Sequence, residues 1–221
     1  MSDLDFTVLG VKPANYGITP LLEFELRVDN QSPEQPIQAV ALHVQIQIEC
    51  PRRSYSADEK ASLLELFGKP ERWGQTLRNR LWCHVDTTVP AFTGATAVRL
   101  LVPCTFDLRV ASAKYFHALE EGEVALLFLY SGSVFYQADD GRLQVSRISW
   151  NKEGRFRMPV AAWQETIDHH YPNSGWLALD RQVFKRLDAF RRGLPEPTWE
   201  QAIENLLDAK PATHALKEVM S

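Results

Sequence analysis

The sequence predicts an α+β fold: a mainly antiparallel β-sandwich with an inserted short helix and a C-terminal helical extension. Three observations carry that prediction. Apolar and polar residues alternate over 22–28 and 40–48, an Asp140-Gly141 dipeptide lies between two apolar runs, and apolar residues recur at helical spacing after Pro159. A strand sends successive side chains to opposite faces, whereas a helix returns to one face every three to four residues, so the two patterns separate the two halves of the chain.

The elements follow in order. A strand is expected around Phe6 to Val11. In the next, Leu22, Phe24, Leu26 and Val28 face a core and charged residues face water. Val40, Leu42, Val44, Ile46 and Ile48 share one face of a third strand, with Ala41, His43, Gln45 and Gln47 on the other. The intervening Asp29 to Pro36 is turn chemistry, so the second and third strands are expected to form an antiparallel pair with one wet face, joined by the first. Ser56-Ala57-Asp58-Glu59 is a capping-box pattern opening a helix near 57–67, with Leu63, Leu64 and Phe67 inward and Gly68 and Pro70 as stops. Strands resume at 81–85, 98–102 and 106–110, with a turn at 90–94. Val124 to Phe128 is continuously apolar, as suits a strand covered on both faces. Residues 134–136 and 143–145 flank the Asp-Gly turn as a hairpin. Pro159 suits the first position of a helix carrying Val160, Trp163 and Ile167 on one face, ended by 171–175. Asp180 can cap a helix with Phe184, Leu187 and Phe190, broken by 193–197. Thr198 opens another with Ile203, Leu206 and Leu207 inward. This divides the chain into a sandwich-like domain over 1–158, a helical extension over 159–208 packed on it, and a frayed tail over 209–221.

Bulk properties exclude several classes. Hydrophobic residues at 45% and charged residues at 24% supply a core and exclude global disorder. A net charge of -4 lacks the basic excess of a protein built to hold a phosphate backbone, so nucleic acid is not the expected partner. The three cysteines, Cys50, Cys83 and Cys104, form no CxxC or CxxH pair, which argues against a disulfide framework and a zinc ribbon and for reduced thiols in a cytosolic protein. The N-terminus reads as acidic with no signal peptide, and the apolar run from Val124 to Tyr130 is too short to span a bilayer, so a cytoplasmic location without membrane contact is expected.

Glycine-rich phosphate loops, GxSxG and HExxH are absent, and no catalytic residue or cofactor is expected. Cys83-His84 is the most suggestive pair, because a thiolate and an imidazole can bind a soft metal or act as nucleophile and base. Adjacent strand residues point to opposite faces, so each needs partners from elsewhere, such as Cys104 or His43. Cys83, His84 and Cys104 are therefore the metal candidates. His169-His170 closes a helix, where the dipole accounts for it, and His117 has no better placement. Lys185, Arg186, Arg191 and Arg192 read as a solvated basic face. Trp176 to Leu207 follows the order of a ribbon-helix-helix unit, but its strand offers no good base reader, which leaves a dimerising or packing role.

Several stretches resemble an uncharacterised bacterial family of about this length: 64–68 with Arg72-Trp73-Gly74, 89–94, 102–107, 113–119, 126–132 and 172–177. The resemblance spans about residues 20 to 208. It implies genes near nickel–iron hydrogenase operons in some bacteria, hence an accessory or assembly role with a hydrogenase subunit or maturation factor as partner. It carries no catalytic residue and draws attention to Trp73, Asp107, Lys114 and Tyr115 as a partner surface. The expected function is a non-catalytic accessory protein working through protein contacts. The alternatives are a ribbon-helix-helix-like dimerising or DNA-binding regulator, and a metal-binding protein or enzyme using Cys83, Cys104 and nearby histidines.

Overall fold

The structure is a computed structural model that describes residues 3–14, 16–104, 111–138, 140–174, 179–195 and 197–209. It divides into two compact units, Met1–Gly175 and Trp176–Ser221.

The first unit is a sandwich of two antiparallel sheets. Strands β1 (Leu4–Pro13), β2 (Leu21–Asn30) and β5 (Ala95–Pro103) form one sheet in the order β1-β2-β5. The other contains β3 (Ile37–Ile48), β4 (Arg80–Val89), β6 (Glu123–Gln137), β7 (Leu143–Arg147) and β8 (Glu153–Pro159), with β4-β3-β6 side by side and β7 and β8 both on the far edge of β6. The two inner faces meet through rings. Phe24 on β2 packs edge-on to Phe128 at 5.5 Å and Phe156 at 6.1 Å, and Phe6 on β1 stacks on Tyr130 at 4.4 Å. The alternating residues read from the sequence are the ones that fill this core: Leu22, Leu26, Val44 and Ile46 are all fully buried.

Strands β2 and β3 do not pair with each other, contrary to the expected hairpin. The 31–36 loop carries the chain from one sheet to the other, where β3 takes β4 and β6 as neighbours. Alternation fixes which face of a strand is apolar, and two sheets sharing one core satisfy it as well as one. Asn30 organises the crossover: its side-chain NH2 donates to the Ser32 and Gln35 carbonyls at 2.8 and 2.9 Å, while its amide oxygen accepts from the Ser32 N–H.

The inserted helix begins with the predicted capping box, with both reciprocal bonds between Ser56 and Glu59 in place. It is two short helices, α1 (Ala57–Ser62) and α2 (Leu64–Phe67), joined at a fully buried Leu63. That break turns Leu64 out to solvent, where the sequence placed it inward. Gly68, with φ 73°, ends α2, and a further turn of helix, α3 (Trp73–Thr76), leads into β4. The two strands expected at 124–128 and 134–136 are one 15-residue strand, β6. The strand expected at 106–110 lies outside the described residues. A helix, α4 (Ala111–His117), and strand β8 were not anticipated. Pro159 closes β8 instead of opening a helix, and α5 (Val160–His170) follows with Val160, Trp163 and Ile167 buried as predicted. This helix belongs to the first unit and packs against β1 and β2.

In the second unit, α6 (Arg181–Arg192) is capped by Asp180 and α7 (Trp199–Asp208) by Thr198, both as predicted. The pair is held by Phe184 against Trp199 at 5.3 Å and by the Arg191 guanidinium over the Trp199 ring at 4.4 Å. Phe184, Phe190, Ile203, Leu206 and Leu207 are exposed, whereas the sequence placed the last three inward. Two short helices side by side have one seam between them, too narrow to cover an apolar stripe wider than that seam. The stretch 176–178 of the expected short apolar strand lies outside the described residues. Among the described residues no helix is long and apolar enough to cross a membrane.

Candidate functional site

The pairing of β3 with β4 separates the two members of the Cys83-His84 pair, as strand geometry requires. Each finds the neighbour expected of it. His84 points out of the five-stranded sheet toward His43, ring centroids 5.1 Å apart, and His43 Nδ1 lies 2.6 Å from Asp86 Oδ1 across the strand pair. Cys83 points the other way, into a cavity of about 180 Å³ whose wall also includes Cys104 at the end of β5.

Rings make up much of the remaining wall, with Pro103, Ser112, Ala113 and Ile167 completing it. Trp82 lies 4.8 Å from Phe116 on α4, Phe116 stacks on Trp163 of α5 at 5.4 Å, and the His117 ring meets Trp163 edge-on at 4.8 Å. Burial sets the chemistry. It pushes the Cys83 and Cys104 thiols up to about 12, with Cys104 raised further by Cys83 beside it. It also lowers the proton affinity of the His117 imidazole. At neutral pH the cavity therefore presents neutral thiols and a neutral imidazole among rings. Nucleophilic attack and metal ligation both need the thiolate. Among the described residues no group of three or more His, Cys, Asp or Glu side chains is arranged to hold a metal ion.

The proposed partner surface is dispersed. Trp73 is 6% exposed, donates its indole N–H to the Gly68 carbonyl at 2.9 Å, and packs edge-on to Tyr55 and Phe67. Tyr115 is 0% exposed, its hydroxyl 3.0 Å from that of Tyr55, which also donates to the Cys50 carbonyl at 2.9 Å. Burial holds both phenols neutral by raising their proton affinity. Trp73 and Tyr115 are thus core residues, because the helical insertion folds its rings back against α4. Lys114 is half-buried and ion-paired with Glu65. Asp107 lies outside the described residues.

Two features escaped the sequence reading. One is a clamp beneath the insertion. Arg53 pairs with the buried Glu59 and donates to the Glu121 and Glu123 carbonyls at 2.6 and 2.7 Å. Burial alone would push the Glu59 carboxyl up, but the Ser56 and Glu120 N–H groups and the Arg53 guanidinium together hold it below the usual carboxylate range. The other is the outer edge of β7. Among the described residues β7 pairs only with β6. Leu143 and Val145 on it are 62% and 58% exposed, and Trp150, in the turn to β8, is 94% exposed. The apolar alternation of 143 and 145 was legible, but it marks a face and does not say whether a second sheet covers it.

No curated protein matches the chain. The family described as "Family of unknown function (DUF6084)" matches residues 1–215, and the chain therefore belongs to that family.

Proposed function

We propose that the chain is a non-catalytic accessory protein that holds a partner protein along the outer edge of β7. The observation that carries this reading is the pair of apolar side chains, Leu143 and Val145, standing in solvent on a strand bonded on one side only among the described residues. Edge strands that must stay single usually carry charge, bulges or proline. An apolar edge is suited to strand addition, in which an extended partner segment completes the backbone ladder and seats alternate side chains. Arg147 ends this edge, whereas Arg142 before it is ion-paired with Asp140 at 3.6 Å, so an apolar segment with an acidic residue facing Arg147 fits it best. The neutral thiols of the Cys83 and Cys104 cavity support the non-catalytic part of the reading. The resemblance to chains encoded near nickel–iron hydrogenase genes suggests a hydrogenase subunit or maturation factor as that partner.

The test is capture of purified hydrogenase subunits and maturation factors on the tagged chain, wild type against Leu143→Asp and Val145→Asp. Retention of one partner is expected to fall at least tenfold in both variants while the far-UV spectrum and melting curve are kept. Retention indifferent to both substitutions would refute the β7 surface. A chain that retains none of these proteins, and purifies alone from its native host, would refute the accessory role.

A second reading, a metal carrier or enzyme, rests on Cys83, Cys104 and His117 lining one cavity, although the three are not arranged there to hold a metal ion. Metal analysis of protein purified without chelators, on wild type and a Cys83→Ser/Cys104→Ser variant, distinguishes it: bound metal that the variant loses would displace the accessory reading.

A further inference from the structure

We infer that α6 and α7 form a self-association surface, and that what covers their apolar faces is the same helix pair of a second copy of this chain. Along α6, Val183, Leu187 and Phe190 fall on one stripe with Phe184 beside it, and none is buried. Along α7, Trp199, Ile203, Leu206 and Leu207 share a stripe, and only Ala202 of that helix is buried. Exposed stripes alone do not identify an occupant. The charges do.

Helix α6 carries Arg181, Lys185, Arg186, Arg191 and Arg192 against Asp188, whereas α7 carries Glu200, Glu204 and Asp208 and no base. Opposite charge on adjacent helices would ordinarily pair within the hairpin. Here Arg191 and Arg192 pair with Asp188 of their own helix, and among the described residues no base of α6 pairs with an acid of α7. Arg186 lies one helical turn from both Val183 and Phe190 and so rims the α6 stripe, while Glu200 and Glu204 rim the α7 stripe beside Ile203 and Leu207.

A two-fold axis answers both features at once. It sets α6 of one copy on α7 of the other and repeats the contact with the roles exchanged. The apolar stripes then meet at the centre, and each Arg186 faces the Glu200 and Glu204 of the other copy. Helices of this length and width offer of order 600 Å² of accessible surface per copy, or about 1,200 Å² for the pair, near the lower limit for a specific interface. The association is therefore concentration-dependent, and rim charge decides which partner is accepted.

The test uses the full chain in light scattering coupled to size exclusion, and sedimentation, over a hundredfold range of concentration. Wild type is expected to move from the 25.2 kDa monomer to twice that mass as concentration rises. Leu206→Glu is expected to stay monomeric with its helix content unchanged by far-UV spectroscopy. Arg186→Glu alone and Glu200→Lys/Glu204→Lys alone are each expected to weaken the dimer at least tenfold, and an equimolar mixture of the two variants to restore it, because both interfaces of the mixed dimer regain opposite charges. A wild-type chain monomeric throughout would overturn the inference and assign the stripes to an intramolecular role. A dimer unaffected by Leu206→Glu would place self-association elsewhere. A mixture that fails to recover would refute the proposed pairing of α6 with α7. Failure of the β7 capture experiment would leave all of these results intact, since none of them involves that edge.

Discussion

Gly132 is the position where one methyl group should do most damage. It lies within β6, opposite Leu42 of β3, with φ 139°, a conformation that residues with a Cβ rarely adopt. A Cβ added there would land on the Ala41 carbonyl oxygen, far inside van der Waals contact, and lie 3.1 Å from Ala41 C and 3.3 Å from Leu42 Cα. All three atoms are backbone of the neighbouring strand, so no side-chain rotation relieves the clash. Gly132→Ala must hold a strained φ, at about 1–3 kcal/mol, and also force two packed strands apart, at about 1–3 kcal/mol more. A loss of about 4 kcal/mol in a chain of this size corresponds to a melting temperature lower by roughly 8–16 °C. Gly10→Ala is the control: it too lies in a strand, but no atom falls within 4 Å of the added carbon and its φ is not in the positive region. The assay is thermal and urea unfolding of wild type and both variants by circular dichroism. The reasoning is refuted if Gly132→Ala melts within about 2 °C of wild type, or if Gly10→Ala loses as much.

Three further outcomes follow from the buried polar groups. Glu59 is held below the usual carboxylate range in the folded chain, and so is Glu23, first by the Tyr16 hydroxyl and then by Lys12 and Arg99. The unfolded chain therefore takes up more protons as acid is added, and the stability these groups contribute is complete above the ordinary value of 4.5 and lost as pH falls through their folded values. Glu59→Gln should flatten that acid limb in urea titrations and cost about 3 kcal/mol at neutral pH by leaving Arg53 without its counter-ion; an unchanged limb would show that the clamp carries no linkage. Thiol titration at neutral pH should find Cys50, Cys83 and Cys104 unreactive until the chain is unfolded, since burial pushes each up to about 12; one rapidly modified thiol in the native protein would contradict this. Tyr55→Phe removes the donor to the Cys50 carbonyl and the partner of Tyr115, and should destabilise by about 1–3 kcal/mol in the same unfolding assay.

What the sequence could show was set by range. The Ser56–Glu59 box, the Asp180 and Thr198 caps and the inward face of α5 depend on neighbours within one or two helical turns, and the structure has all of them. Strand partners depend on contacts far apart in the chain, and there the reading failed: β2 and β3 each present an apolar face, but only the course of the 31–36 loop decides that the faces belong to different sheets. Strand β8 was legible, with Gly154, Phe156 and Met158 alternating against Glu153, Arg155 and Arg157, but it was hidden by the assignment of Pro159 to a helix. The site divides the same way. The separation of Cys83 from His84 is a local consequence of strand geometry and was foreseen, whereas the arrival of His117 beside Cys83 depends on how α4 docks near β4. Trp73 and Tyr115 were misplaced because a large aromatic ring reads the same in a sequence whether it anchors a partner or the core.

The course of β6 accounts for which part of the five-stranded sheet is covered and which is left in solvent. Strand β3 pairs along nearly its whole length, but its other side is shared: β8 pairs with Glu123–Leu129 and β7 with Ser133–Gln137. The change falls at Tyr130 to Gly132, where the Tyr130 N–H donates to the Lys152 carbonyl and the Gly132 carbonyl accepts from the Ile148 N–H, both at 3.0 Å. On the β8 side the residues of β6 are buried one after another from Val124 to Phe128, and β8 lies against β1 of the other sheet. On the β7 side burial falls away, and no residue of β7 itself is buried. The β6–β7 hairpin therefore adds little to the core. Leaving Leu143 and Val145 in water forgoes about 1.5–3 kcal/mol each relative to burial, and lysine or threonine there would form the same hairpin without an adhesive edge. The hairpin therefore does not need apolar residues at these two positions, and it is on their exposure that the proposed β7 surface rests.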